Sequence, residues 1–287
     1  MSNRAKTFPA WPFFSVATVL IVVVILLLLR QYRLTACFQV ITYTTGLSPG
    51  KTSSQTPLGA IDQLPLKKAR QQLTYEQLIA ILRQEANIAA VNRPQHLTVL
   101  AGDSLSMWFP TDLLPLERNW LNQGISGDTS AGLLRRLKLF DRTQPKTIFV
   151  MIGINDFIRG VSDETILENQ QQIIRYLLRV HPDSQIVMQS ILPHNWEGSV
   201  HKRSHKENHP LGNSNSRIRR LNRQTKVIAA KEGVNYLDLH PLFTDAQGNL
   251  RPELSTDGLH LNRDGYLVWR SALQMYTQVK LEPHTGN

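Results

Sequence analysis

Short apolar runs alternate with segments of helical periodicity over the last two thirds of this chain of 287 residues. Five runs have the length and composition of strands: LTVLAG, WLNQGI, TIFVMIG, QIVMQSIL and VNYLDL. Helical periodicity covers residues 130–140, 163–180, 214–232 and 263–279. Strands that alternate with helices are typical of a parallel sheet covered on both faces. The pattern therefore predicts an α/β fold, a three-layer doubly wound parallel sheet of about five strands, over residues 95–281.

A separate amphipathic helix is predicted over residues 73–92, before the first strand. Thr74 and Gln77 have the spacing of a capping box, in which each side chain accepts a hydrogen bond from the other residue's backbone N–H. The apolar face of this helix would comprise Leu78, Ile79, Ile81, Leu82 and Ile88. The helix either packs on the main domain or acts as a spacer. Before it, residues 30–72 are rich in Ser, Thr, Pro and Gly and are typical of a linker.

The longest apolar run of the chain lies near its N-terminus. Residues 11–29 contain no charged side chain, and about 20 apolar residues suffice to cross the hydrocarbon core of a bilayer. We therefore predict a transmembrane helix over residues 11–29, with residues 1–10 as its flank. A cleaved signal peptide is the alternative, but its apolar region usually spans only about 7–15 residues. Here the run is longer, and Arg30 and Arg33 follow it.

The residues around this run give two weaker indications. Leu34 to Cys37 resembles a lipoprotein box, but two arginines separate it from the apolar run, so we interpret Cys37 as an ordinary cysteine. Arg4 and Lys6 precede the run, and positive charge tends to stay in the cytoplasm. This bias slightly favours a single-pass membrane protein whose main domain is extracytoplasmic.

The whole chain has a formal net charge of +10. Its positive charge is concentrated in one part. Between Trp196 and Glu232 there are nine Lys or Arg residues and three Asp or Glu residues. Such a segment could attract anionic lipid headgroups, or it could be a solvated basic surface. We do not expect nucleic acid as a partner, because the segment has one aromatic residue for stacking and no recognition motif.

Four polar motifs follow predicted strands: GDSLS, NQGISGDTS, GIND and DGLHLNRDGY. Because the carboxyl ends of parallel strands meet at one edge of a sheet, these motifs could together form a serine hydrolase site. Ser104 would be the nucleophile, His260 its base, and Asp257 the residue that orients His260. The backbone N–H groups of Ser104 and Gly124 and the side-chain amide of Asn155 would bind the oxyanion.

These motifs resemble the four blocks of the SGNH (GDSL) hydrolase family, in family order: Ser104 in GDSLS, Gly124 in NQGISGDTS, Asn155 in GIND and His260 in DGLH. The amino-acid sequences of these motifs are most similar to those of the branch that contains esterases, lysophospholipases and platelet-activating-factor acetylhydrolase-like enzymes. The resemblance implies a flavodoxin-like sheet and a serine esterase that needs no metal or organic cofactor. It also implies the catalytic roles already given for Ser104, Gly124, Asn155 and His260.

Two departures from the family concern the neighbourhood of the site. Many relatives have Thr where this chain has Ile154 beside Asn155, and an insertion follows the fourth strand. That insertion contains His194, His201, His205 and His209, and we expect it to be a mobile basic loop rather than a metal site.

Other residues near the motifs have more modest predicted roles. We expect Asp103 and Asp156 to be structural residues that bond backbone amides and position their loops. Met107 to Pro110 could either line an acyl-binding wall or pack in the core.

The sequence thus predicts a membrane-anchored serine esterase that hydrolyses acyl or acetyl esters through an acyl-enzyme. Its expected partners are a small-molecule or lipid ester, with lysophospholipids as one candidate, and the membrane through residues 11–29. A deacetylase or acyltransferase that acts on cell-envelope saccharides would use the same residues. An anchored binding module without activity is a further alternative.

Overall fold

The computed structural model describes residues 73–195 and 214–281, which form a parallel sheet flanked by helices. Its strands are β1 (Leu97–Gly102), β2 (Asn119–Gly124), β3 (Thr147–Met151), β4 (Gln185–Gln189) and β5 (Asn235–Leu237). They are hydrogen-bonded in the order β2–β1–β3–β4–β5, and every pair is parallel. The predicted α/β fold is confirmed, and the strand order is that of flavodoxin-like sheets.

The helices of the described residues include four long or medium ones and four short ones. They are α1 (Tyr75–Asn92), α2 (Ser104–Met107), α3 (Ser130–Arg136), α4 (Ile154–Ile158), α5 (Asp163–Val180), α6 (Ser214–Lys231), α7 (His240–Phe243) and α8 (Arg263–Tyr276). Three of the short helices, α2, α4 and α7, have at most five residues. They are too short to produce a periodic pattern, so the sequence did not predict them.

Two apolar cores lie on opposite faces of the sheet. Val99 and Ala101 of β1 face a core that contains residues of α1, α3, α5 and α6, whereas Leu100 faces a core with α2, α7 and α8. Strands β1 and β3 are buried along their whole length. Burial on both faces explains why their sequences are continuous apolar runs rather than alternating ones.

Helix α1 packs on the sheet domain and is not a free spacer. The predicted capping box between Thr74 and Gln77 is formed. Leu78 and Leu82 share an apolar cluster with residues from α2 and the end of β2, and the Gln123 side chain donates a hydrogen bond to the Leu82 carbonyl oxygen (3.2 Å). Ile88, which we expected on this face, is exposed. It lies about 120° around the helix from Leu82, since each residue turns the helix by about 100°.

Several predictions concern residues outside the described ranges. These are the flank (residues 1–10), the transmembrane helix (residues 11–29), the linker (residues 30–72) and most of the insertion, with His201, His205 and His209. Within residues 73–195 and 214–281, none of the helices combines the length and the apolar content that a membrane crossing requires.

Candidate active site

Ser104 lies at the carboxyl edge of the sheet, where the strand order changes direction. The chain leaves β1 towards β2 on one side, while β3 pairs with β1 on the other, and ligands of such sheets bind in the crevice this creates. Ser104 is the first residue of α2 and follows Asp103, the N-cap of that helix. The Ser104 side chain is therefore held on a rigid turn directly after a buried strand.

His260 and Asp257 complete a chain of hydrogen bonds that begins at Ser104. The distance between Ser104 Oγ and His260 Nε2 is 3.1 Å, and His260 Nδ1 lies 2.7 Å from Asp257 Oδ2. When His260 Nδ1–H donates to the carboxylate, Nε2 keeps a lone pair that can accept the Ser104 hydroxyl proton. The arrangement is that of a nucleophile, a base and an orienting group.

The loop before α8 fixes Asp257 and His260 relative to each other. Asp257 Oδ1 accepts hydrogen bonds from the backbone N–H groups of Leu259 (3.0 Å) and His260 (2.7 Å). Partial burial tends to raise the pKa of Asp257, but the hydrogen bonds from the His260 side chain and from both backbone groups outweigh this and hold the pKa below its ordinary value. The Asp257 carboxylate is therefore ionised at neutral pH.

Of the four residues expected to form an acyl-binding wall, Trp108 contacts the catalytic motif. The Trp108 ring lies over the imidazole of His260, with ring centroids 4.2 Å apart. Met107 and Phe109 instead pack in the apolar cores. Trp108 also packs in part against both of these cores. The core alternative therefore applies to its two neighbours, and an acyl-binding wall at Trp108 stays a prediction.

Asn155 lies at the start of α4 and faces the loop that follows β2. Its side-chain Nδ2 donates a hydrogen bond to the Asp128 carbonyl oxygen (3.0 Å). A primary amide carries two N–H donors, so this bond fixes the orientation of the amide and leaves its second N–H for another acceptor. Such a group is suited to bind an oxyanion beside Ser104.

The backbone N–H of Gly124, which we expected to bind the oxyanion, already has an acceptor. Its backbone N–H donates to the Asn122 side-chain oxygen (2.9 Å), which occupies the only proton that it could offer. A Cβ atom at residue 124 would lie 2.3 Å from the Met107 backbone nitrogen. Gly124 is therefore required for the close packing of α2 against β2, and its amide is engaged elsewhere.

Gly127, three residues later, is a better candidate for the glycine donor. It has a φ of +74°, a conformation that residues with a Cβ rarely adopt, and it directly precedes Asp128, whose carbonyl oxygen binds Asn155. Among residues 73–195 and 214–281, no acceptor is recorded for the Gly127 N–H. The motif NQGISGDTS contains both glycines, and their spacing alone could not distinguish them.

Asp156, beside Asn155, binds the first residue of α3. Its two carboxylate oxygens accept the backbone N–H (2.7 Å) and the hydroxyl (2.6 Å) of Ser130. Burial raises the pKa of Asp156, although the hydrogen bonds from Ser130 oppose this rise. These contacts connect α4 with α3 and so hold the loop that carries Asn155.

Asp103 is fully buried beside the nucleophile. Its Oδ1 accepts a hydrogen bond from the Leu105 N–H (3.0 Å), and among the described residues its Oδ2 has no hydrogen-bond donor. Burial, together with the negative charges of Asp128 and Asp156, raises the pKa of Asp103 to about 7 against the opposing effects of Leu105 and Arg136.

The raised pKa of Asp103 predicts that stability declines as pH rises. The folded protein holds this proton up to about pH 7, whereas the unfolded chain releases it near pH 4. Between those values the folded state binds more protons, so the free energy of unfolding decreases with pH. In Asp103→Asn, which keeps the acceptor for Leu105, this decrease should be absent.

Urea unfolding of both proteins at pH 5 and pH 8 measures the effect. The stability of Asp103→Asn relative to wild type should increase by about 2–3 kcal/mol between the two pH values, at about 1.4 kcal/mol for each unit of pKa difference. Parallel pH dependences for the two proteins would contradict the assignment.

Arg136 is a buried residue near the site that the sequence reasoning missed. It binds the Gly102 carbonyl oxygen (2.7 Å) at the end of β1, the Gln123 carbonyl oxygen (2.6 Å) near the end of β2, and Asp128 Oδ2 (2.6 Å). Its side chain and that of Asp128 are 3% and 5% exposed, so the pair is well shielded from water. Arg136 thus joins three segments that surround Ser104.

A sequence signal for Arg136 exists, since it lies three residues after Leu133 and one before Leu137, both fully buried. Residues three apart lie on the same side of a helix, so an arginine at this position falls on an apolar face. A charged residue on such a face requires a buried partner.

Of the histidines predicted to lie in a mobile basic loop, His194 is in the described part of the chain, and its environment differs from that prediction. His194 is buried and packs against the Phe157 ring, with centroids 5.7 Å apart. Over residues 73–195 and 214–281 there is no group of three or more His, Cys, Asp or Glu side chains that could hold a metal ion.

The fold and the Ser104–His260–Asp257 arrangement define an α/β serine hydrolase, and comparison with known families agrees. Residues 101–268 match the GDSL-like lipase/acylhydrolase family. Because this match covers more than half of the chain, the chain belongs to that family, whose members are serine hydrolases of carboxylic esters.

The individual relatives share 27% and 30% sequence identity with this chain. The chain is 27% identical over 127 residues to an arylesterase from Vibrio mimicus, a match that covers 38% of this chain and 62% of the relative. It is 30% identical over 149 residues to the platelet-activating factor acetylhydrolase IB subunit alpha2 of Rattus norvegicus, covering 51% of this chain and 58% of the relative. The matches thus span less than two thirds of either relative's length.

Among solved structures, the fold is similar to that of a Streptococcus pneumonia protein described as a proposed platelet activating factor. The TM-score is 0.62 at 27% sequence identity, and the match covers 76% of this chain and 99% of the other. The described fold is therefore shared over almost the whole length of that protein.

Proposed function

We propose that this protein is an esterase that hydrolyses acyl or acetyl esters with Ser104 as nucleophile. The observation that carries this proposal is the pair of distances from Ser104 Oγ to His260 Nε2 (3.1 Å) and from His260 Nδ1 to Asp257 Oδ2 (2.7 Å). Membership of a family of serine hydrolases of carboxylic esters supports it.

The first half of the reaction forms an acyl-enzyme. His260 Nε2 takes the hydroxyl proton as Ser104 Oγ attacks the ester carbonyl carbon, and the carbonyl oxygen becomes an oxyanion. When the carbonyl bond re-forms, the bond to the alcohol oxygen breaks, and His260 returns the proton to the leaving alcohol. The Asp257 carboxylate stabilises the imidazolium while it exists.

In the second half, water replaces the alcohol. His260 takes a proton from water as the water oxygen attacks the acyl carbon, and Ser104 Oγ leaves and regains that proton. The products are a carboxylic acid and free Ser104.

The oxyanion would be bound by the N–H of Ser104, the N–H of Gly127 and the second N–H of the Asn155 side chain. The Asn155 bond to Asp128 supports this assignment, because it holds the amide beside the loop that contains Gly127. A structure of a phosphonate adduct would locate each donor.

Removing the Asn155 amide should therefore impair turnover far more than folding. We expect Asn155→Ala to lower kcat by about 10²–10³-fold, as the loss of one oxyanion donor typically does, with a small change in KM. Asn235→Ala, at an exposed asparagine of β5, serves as the control. Wild-type turnover by a folded Asn155→Ala protein would disprove this role.

Lysophospholipids are the substrates that we favour. The similarity to a platelet-activating factor acetylhydrolase subunit supports a lipid ester. So does helix α6, which exposes the cationic side chains of Arg219, Arg220, Arg223, Lys226 and Lys231. Such a surface attracts anionic headgroups by about 1 kcal/mol for each basic residue near the bilayer.

A panel of esters tests the substrate class. Initial rates should be compared for a lysophospholipid, a neutral short-chain ester and an O-acetylated glycan. Faster hydrolysis of the lysophospholipid supports the proposal. Faster release of acetate from the glycan would instead favour a deacetylase of cell-envelope saccharides, and the absence of turnover on all three would favour a binding module.

We also propose that residues 11–29 anchor the protein in a membrane, with the hydrolase domain extracytoplasmic. The absence of charge in this run and the arginines after it support an uncleaved anchor. The full chain should remain in the membrane fraction after alkaline extraction and should be digested by protease added to the outside of intact cells. Release by alkali, or protection from the protease, would contradict these two statements respectively.

A further inference from the structure

Arg159 is an exposed cationic side chain beside the loop that contains Gly127, and the proposed reaction gives it no role. It is the C-cap of α4, the helix that carries Asn155 near its start. Its Nη2 donates a hydrogen bond to the Gly127 carbonyl oxygen (2.7 Å). The guanidinium therefore lies against the same loop to which Asn155 is bonded through Asp128.

The charge of Arg159 is not neutralised within the described part of the chain. Two carboxylates in neighbouring segments have other partners: Asp128, next to Gly127, pairs with Arg136, and Asp163, four residues after Arg159, pairs with Arg217. Among residues 73–195 and 214–281, no ion pair is recorded for Arg159, and its side chain is exposed. This cation differs from Arg136, which is buried and donates a hydrogen bond from each of its three guanidinium nitrogens.

The chemistry of the guanidinium group determines what it can bind. It offers five N–H donors in a planar fork, and its recorded side-chain hydrogen bond is a single one, to Gly127. The remaining donors fit two oxygens of a phosphate or carboxylate, which arginine binds more specifically than lysine does.

We propose that Arg159 binds an anionic group, a phosphate or a carboxylate, on the alcohol part of the substrate ester. The inference rests on the proposed esterase function, and it specifies the substrate class that the site prefers. The contact with Gly127 holds the guanidinium close to residues 125–129, the loop between β2 and α3 that is here called the oxyanion loop. An anion bound there would lie beside the reacting ester.

Two matched pairs of esters test this role with the full chain. One pair is butyryl glycerol phosphate and butyryl glycerol, and the other is the butyryl ester of 4-hydroxybenzoate and that of its methyl ester. Within each pair the acyl group is the same and the anion is present in one member. We expect Arg159→Gln to lower the ratio of kcat/KM values, anionic over neutral, by about tenfold, mainly through KM.

Arg159→Lys should recover part of this ratio, because it keeps the charge but not the fork. Arg135→Gln, at an exposed arginine of α3, should leave the ratio unchanged. In wild type the ratio should fall as salt is added, since exposed charges are screened. A loss confined to the phosphate pair identifies a phosphate ester as the substrate, and a loss confined to the benzoate pair identifies a carboxylate.

The outcomes separate this inference from the proposed function. If Arg159→Gln lowers the rates for both members of a pair equally, Arg159 only positions the oxyanion loop, and the inference is overturned while the esterase function stands. If both the rates and their ratio stay unchanged in both pairs, Arg159 has no role in turnover, and the inference is likewise overturned. If the wild-type protein hydrolyses none of the four esters and a fluorophosphonate does not label Ser104, the proposed function and the inference both fail.

Discussion

Ser104→Ala should hydrolyse a p-nitrophenyl ester 10⁴–10⁶-fold more slowly than the wild-type protein, an order of magnitude known for the loss of a serine nucleophile. The variant loses the oxygen that lies 3.1 Å from His260 Nε2. It keeps the backbone N–H groups of the oxyanion site, so binding of the ester should change much less. Initial-rate kinetics with both proteins at equal concentration provide the measurement.

Ser106→Ala is the matched control for this variant. Ser106 is in the same helix and is also buried, and among the described residues its hydroxyl has no hydrogen-bond partner. We expect Ser106→Ala to retain wild-type turnover. If Ser104→Ala retained more than about a hundredth of the wild-type rate, water would be attacking the ester without Ser104, and the acyl-enzyme mechanism would be wrong.

Arg136→Met should lower the free energy of unfolding by about 3–5 kcal/mol, because it leaves the buried Asp128 carboxylate without its ionic partner. The carbonyl oxygens of Gly102 and Gln123 also lose their arginine donor. Since these groups lie at the end of β1 and near the end of β2, beside Ser104, turnover of the variant that remains folded should fall as well. Urea unfolding, followed by tryptophan fluorescence, measures this change in the free energy of unfolding.

Two further variants decide whether the buried charge is the cause. Adding Asp128→Asn to Arg136→Met removes the unpaired charge and should restore part of the lost stability. Arg175→Met breaks the pair with Glu232, in which the arginine side chain is 61% exposed, and should have a far smaller effect because exposed pairs contribute little. Equal losses for Arg136→Met and Arg175→Met would refute this explanation.

The general fold could be predicted from the sequence because the relevant signals are local. The apolar runs of β1 and β3 lie in the core of the sheet, and the capping box at Thr74 marks the start of α1. The predicted ends of an element were less accurate where packing determines its length. The run predicted over residues 234–239 forms a strand of three residues, since only Asn235–Leu237 pair with β4 at the edge of the sheet.

The candidate site was predictable in its chemistry but not in all of its geometry. Ser104, Asp257 and His260 follow strands or precede a helix, and their side chains come together as the motifs suggest. The choice between Gly124 and Gly127 depends on where one backbone N–H points, which residue spacing does not encode. The role of Arg136 depends on three segments meeting in space, and no single stretch of sequence contains them.

The most direct test of the account is a crystal structure of the protein after reaction with a fluorophosphonate. We predict phosphorus covalently bound to Ser104 Oγ, with the phosphoryl oxygen about 3 Å from the backbone nitrogen of Gly127 and from Asn155 Nδ2. Phosphorus on another residue, or folded protein that is not labelled, would contradict the assignment of Ser104 as nucleophile. A phosphoryl oxygen bound to the Gly124 nitrogen would contradict the assignment of Gly127.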